Sequence, residues 1–115
     1  MANDIPLRLR QFSLRCYKLT EALPKTGGAR YFQNQLLRSS MSAYANYKAS
    51  QLAQSKASFV AKLSIALEET DESAIWLDMI ITTELLPETR VFPLYKEAKE
   101  LSNILASARK KTKQV

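Results

Sequence analysis

Apolar side chains recur near the N-terminus at Ile5, Leu9, Phe12, Cys16, Leu19 and Leu23, in steps of 4, 3, 4, 3 and 4. Only an α-helix gathers such a series onto one stripe, because its turn of about 3.6 residues returns to the same face every three or four positions. Asp4 is placed to cap this helix, and Pro6 falls near its start, where a missing N–H does no harm. Phe59, Leu63, Ala66, Thr70, Ser73, Leu77, Ile80 or Ile81, and Leu85 repeat the spacing behind a Ser55 or Ser58 cap. Leu94, Ala98, Leu101, Leu105 and Ala108 repeat it again, with Pro93 expected in the first turn. Pro24 with Gly27 and Gly28 reads as a turn, as does Pro87 to Arg90. The pattern predicts helices over about residues 5–23, 29–54, 57–86 and 91–111, with a frayed basic tail at 109–115.

Turns this short oblige neighbouring helices to run antiparallel, so the expected fold is all-α, an up-down-up-down four-helix bundle. A chain of 115 residues, 46% hydrophobic and 24% charged with two glycines, has the composition of one folded domain, here spanning 1–115. Its apolar runs fall well short of the roughly 20 residues a membrane helix needs. A lone cysteine, Cys16, and no secretory leader pattern point to a cytoplasmic protein without disulfides.

The second helix differs from the others. Between Tyr31 and Ser55 only Arg38 and Lys48 are charged, and small residues alternate with Leu36, Leu37, Met41, Tyr44, Tyr47 and Leu52. Such a helix is expected to be buried on more than one side, the second side by another subunit. Leu7 and Leu14, a heptad apart and opposite the seam of the first helix, point to the same oligomer. The interface expected from these features comprises Leu7, Leu14, Tyr44 and Tyr47, and in a ring it would be heterologous.

Charge is segregated along the chain. Residues 1–62 hold ten Lys/Arg against two Asp/Glu, residues 63–89 hold seven acids and no base, and residues 90–115 hold seven bases against two acids. A basic surface is therefore expected beside one acidic helix. Arg8, Arg15 and Lys18 line one flank of the first helix, and Arg30, Arg38, Lys48, Arg109, Lys110, Lys111 and Lys113 extend the candidate nucleic-acid surface. The competing reading pairs these cations with the acidic third helix of the same or a neighbouring subunit.

The stretch Gln35-Leu36-Leu37-Arg38-Ser39-Ser40-Met41-Ser42-Ala43-Tyr44-Ala45-Asn46-Tyr47, followed by Ser55, Phe59, Lys62, Leu63, Ile65, Ala66, Glu72, Trp76 and Leu77, resembles a bacterial family of four-helix-bundle proteins. That family was first noticed in intervening sequences of 23S ribosomal RNA genes and is related to the accessory protein of diversity-generating retroelements. Arg15-Cys16-Tyr17, Leu23-Pro24, Glu97-Ala98, Glu100-Leu101 and Ile104-Leu105 extend the resemblance over nearly the whole chain. It implies a homopentameric ring and raises the expectation of RNA or DNA, and of a partner such as a reverse transcriptase. Ala49 stands where many members carry a glutamate, so no role of that glutamate transfers.

Catalysis finds no machinery in the sequence. The chain has no histidine, so Cys16 has no imidazole to activate it, and Glu68, Glu69, Asp71 and Glu72 lack the Glu-x-x-His pairs of di-iron bundles. The carboxylates read as a solvated or ion-paired face, and no catalytic residue, cofactor or metal is expected. Ser39 and Asn46, seven residues apart, read as structural polar groups that let helices approach and fix their register. Trp76 with Tyr44 and Tyr47 is compatible with base stacking, but packing is the favoured reading. The expected function is a non-enzymatic basic oligomeric scaffold associated with nucleic acid; the alternative is a protein-interaction scaffold without it.

Overall fold

The computed structural model describes residues 4–114. It contains four helices: α1 Ile5–Glu21, α2 Gly27–Gln51, α3 Lys56–Thr82 and α4 Glu88–Lys113. Val115, the last residue of the basic tail, lies outside the described residues, as do residues 1–3. Each helix lies along the next and α4 closes back onto α1, while the backbones of the diagonal pairs α1–α3 and α2–α4 stay apart and reach each other only through core side chains. Side-chain contacts show the helices running in opposite directions: Asp71 meets Ser102 and Ser64 meets Arg109 across α3 and α4, one position rising as the other falls. The bundle measures 46 × 24 × 20 Å.

The core takes in most of the seams predicted from periodicity and adds Leu36 and Ala43, Ala74 and Val91, while Ile5, Phe59, Leu85 and Ala108 of those seams are only partly buried. Leu9, Phe12, Cys16, Leu19 and Leu23 meet Leu36 and Ala43 of α2, Ala74, Leu77 and Ile80 of α3, and Val91, Leu94, Ala98 and Leu101 of α4. A smaller cluster, Leu63, Ala66, Leu67 and Leu105, fills the end where α3 begins and α4 finishes. Ile5 and Tyr47 pack against both clusters. Among the described residues no buried side-chain polar atom lacks a hydrogen-bond partner.

Helix ends depart from the predicted boundaries for identifiable reasons. The Asp4 carboxylate accepts from Leu7 N at 3.1 Å, and Ser55 Oγ accepts from Ser58 N at 3.0 Å, so both caps stand as read and Ser58 is the donor. Gly27 and Gly28 form the first turn of α2 behind Thr26, not a loop; the break falls at Ala22–Thr26, where Pro24 cannot continue α1. Helix α2 stops at Gln51 rather than about 54, leaving Leu52 80% exposed. Helix α3 stops at Thr82 rather than about 86, because Glu84 takes a left-handed conformation, φ 58°. Leu85 N then bonds Ile80 O at 3.3 Å and Glu84 N bonds Ile81 O at 3.0 Å, a Schellman ending usually signalled by glycine.

Helix α4 begins at Glu88, three residues earlier than predicted, which moves Pro93 from the first turn into the second. Its absent N–H leaves Thr89 O without the usual helical donor. At the other end α4 runs through Arg109, Lys110 and Lys111 to Lys113, so the basic tail is helical rather than frayed. Lysines in a last turn complement the negative end of the helix dipole.

Candidate nucleic-acid and subunit interfaces

The predicted basic flank of α1 divides into two parts with different surroundings. Arg8 turns toward α4: its Nε donates to Glu97 Oε2 at 3.1 Å, its Nη2 to Glu97 Oε1 at 2.7 Å, and Glu100 Oε1 lies 3.0 Å from Nη2. This two-point fork neutralises Arg8 and ties α1 to α4. Arg15 and Lys18, about two and three turns on, meet no carboxylate among the described residues; with Leu19, Arg90 and Leu94 they line a groove of about 190 Å³ between α1 and α4.

Arg38 is neutralised in the same manner. Its Nη1 donates to Glu69 Oε2 at 2.9 Å and its Nη2 to Glu72, which also accepts from Trp76 Nε1 at 3.0 Å. Pairing with the acidic helix thus accounts for Arg38, whereas Arg8 finds its acids on α4. Arg30, Lys48, Arg109, Lys110, Lys111 and Lys113 have no carboxylate within 4.0 Å among the described residues, though Arg109 reaches Ser64 Oγ at 3.4 Å. Arg15 and Lys18 lie at the α1–α4 groove and Arg109, Lys110, Lys111 and Lys113 at the far end of α4, about 30 Å away along that helix, while Arg30 and Lys48 stand apart on α2.

The polar residues of α2 act within the protomer. Ser39 Oγ is 2.8 Å from Ser73 Oγ on α3, both fully buried, and the small Ser40, Ala43 and Ser50 are buried alongside. Ser39 lets α2 lie closely along α3 and Ser40 faces Cys16 of α1, so much of the charge-poor character of α2 is explained without a second subunit. Asn46 does not bridge helices: its Nδ2 donates to Ser42 O and Ser42 Oγ, each at 3.0 Å on the same helix, so it fixes no inter-helix register. Tyr44 and Tyr47 are half-buried against the core. Trp76 is remote from them and packs edge-on against Tyr31, ring centroids 5.6 Å apart, and against Phe32 at 6.1 Å.

Leu7 and Leu14 are exposed, 41% and 43%, together with Tyr17 on α1 and Met41 on α2. The sequence pattern does not reveal that α3 is apolar on its outer face as well, at Ile65, Ile75 and Met79, beside the exposed Glu68 and Asp78. The concentrated acid of this helix draws attention away from them; the missed signal is an α3 too apolar all round to be simply amphipathic. Because α1 and α3 are diagonal in the bundle, the leucine face of α1 and the isoleucine face of α3 lie on opposite flanks. Cys16 is fully buried, its thiol pushed up to about 12 by burial, with a Ser40 hydrogen bond acting the other way.

No group of metal-ligating side chains is present among the described residues, and none of their helices is long and apolar enough to cross a membrane. No curated protein matches the chain. A solved structure similar to it is a protein of unknown function from the S23 ribosomal protein family of Bacteroides thetaiotaomicron VPI-5482, 30% identical over 92% of this chain and 98% of that one, with a TM-score of 0.85. The model of the 23S rRNA-intervening sequence proteins matches residues 3–107, nearly the whole length, and with a bundle of the same shape in that homologue the chain belongs to this family.

Proposed function

We propose that this protein is a non-enzymatic, basic scaffold that assembles into a pentameric ring and binds the phosphate backbone of nucleic acid. The observation that carries the reading is the pairing pattern of its cations. Of the ten basic residues marked in the sequence, Arg8 and Arg38 are neutralised, while Arg15, Lys18, Arg30, Lys48, Arg109, Lys110, Lys111 and Lys113 meet no carboxylate among the described residues. Cations left unpaired in a chain of net charge +6 create a field that attracts polyanions.

Assembly is supported by the two exposed apolar flanks. Leu7, Leu14 and Met41 lie on the basic side, Ile65, Ile75 and Met79 on the acidic side, so one copy's α1–α2 face complements the next copy's α3 face. Such a contact is heterologous, and repetition of a heterologous contact closes a ring when the rotation between neighbours is a whole fraction of a turn, one fifth for a pentamer. Five copies multiply each cationic zone fivefold.

The test is retardation of RNA and of DNA oligonucleotides at low salt. Binding that weakens steeply as salt rises is expected; no retardation of either, with the oligomer intact, would leave a scaffold of purely protein contacts.

A further inference from the structure

The groove between α1 and α4 is built differently from the rest of the surface. Arg15 and Lys18 approach it from α1 and Arg90 from α4, and beneath them Leu19 and Leu94, each 4% exposed, make an apolar floor. None of the three cations has a carboxylate within 4.0 Å among the described residues. The acids of these two helices that do form ion pairs, Glu97 and Glu100, are engaged by Arg8 further along the bundle, and Glu88 lines a separate cavity beside Glu84 and Leu85. Arg90 lies outside the basic set recognised in the sequence, because it reads there as part of a turn.

Three like charges around one apolar-floored groove repel one another, and the low-dielectric floor strengthens that repulsion as well as their attraction for an anion. Two guanidiniums supply planar forks matched to phosphate oxygens, with the lysine as a mobile point charge. The first turn of α4 opens at the same end of the bundle; its Pro87 cap supplies no side-chain acceptor to the N–H groups there, of which Arg90 N bonds Pro87 O at 3.0 Å. The groove is shallow and has no aromatic wall for a base to stack on, so it suits a phosphodiester rather than a nucleobase.

We propose that Arg15, Lys18 and Arg90 form a phosphate-binding groove that holds one phosphodiester of a bound nucleic-acid strand. The inference rests on the nucleic-acid reading above and assigns it a specific site. An anion seated there relieves the mutual repulsion of the three cations. Contacts confined to the backbone make binding at this point independent of sequence.

The experiment compares three full-length proteins by fluorescence anisotropy with a labelled 20-nucleotide single strand across a range of salt: wild type, Arg15→Ala/Lys18→Ala/Arg90→Ala, and Arg10→Ala/Lys62→Ala/Lys96→Ala. The last removes the same charge from exposed positions elsewhere. Thermal melting by circular dichroism checks that all three fold. The groove variant is expected to lose affinity by about tenfold or more and to flatten the salt dependence by about one unit of slope, whereas the control keeps the wild-type slope. Equal affinity and slope in the two variants overturns the groove while leaving the nucleic-acid reading standing. A wild type that binds no strand overturns both. A separate titration with inorganic phosphate distinguishes the source of the anion: saturation by free phosphate with no gain from the strand overturns the polynucleotide assignment.

Discussion

At the scale of single residues, the protein stores two features that solution measurements can read. Cys16 is a neutral thiol held from ionising by burial, its pKa moved from 9.0 to about 12. The unfolded chain releases this proton above about pH 9 and the folded chain does not, so the folded state holds more protons and its stability falls as pH rises from 9 toward 12. Urea melts at pH 8 and pH 10 are expected to show this loss in wild type and a smaller one in Cys16→Ala. A maleimide should label the thiol only after unfolding. Glu84 is the second feature. A non-glycine residue at φ 58° in the α3 ending carries strain that glycine lacks, so Glu84→Gly is expected to stabilise by about 0.5–1 kcal/mol, read as a rise of a few degrees in Tm. By contrast, Phe12→Ala empties a fully buried site and should cost about 3–5 kcal/mol.

At the scale of helices, periodicity makes the core legible and punctuation makes the ends only partly so. The seam of α1 from Leu9 to Leu23 is buried as its spacing requires, because water is excluded from one stripe whatever the neighbours are. The ends depend on local signals that mislead. Gly27 and Gly28 resemble a turn yet fit the exposed first turn of α2 with ordinary negative φ, and a Cβ at either would meet nothing within 4 Å. Gly28→Ala is therefore expected to stabilise by about 0.4–1 kcal/mol in a denaturant melt, by narrowing the unfolded ensemble. Glu84 ends α3 without the glycine that would advertise it. Charges are legible in number but not in pairing: Arg8, Arg15 and Lys18 share a flank in the sequence, and only the packing of α4 shows that Glu97 and Glu100 neutralise the first and Arg90 joins the other two.

At the scale of the molecule, adhesive and electrostatic surfaces adjoin on α1, where Lys18 follows Leu14 by one turn on the same exposed stripe. The flanks that bear Leu7 and Leu14 on one side and Ile65, Ile75 and Met79 on the other are diagonal, and the α1–α4 groove lies between them. A ring closed through the flanks would set that groove at the edge of every subunit contact, since Lys18 lies one turn from Leu14. Light scattering after gel filtration should accordingly give about five times the 13.0 kDa of one chain, and Leu7→Glu/Leu14→Glu should shift the mass toward a single chain without unfolding it, both side chains being exposed. The most direct measurement of the central claim is the dependence of wild-type affinity on salt for RNA and DNA strands of equal length. A binding constant falling linearly on logarithmic axes, with several phosphates neutralised per assembly, is the predicted result; binding of neither strand at low salt would contradict it.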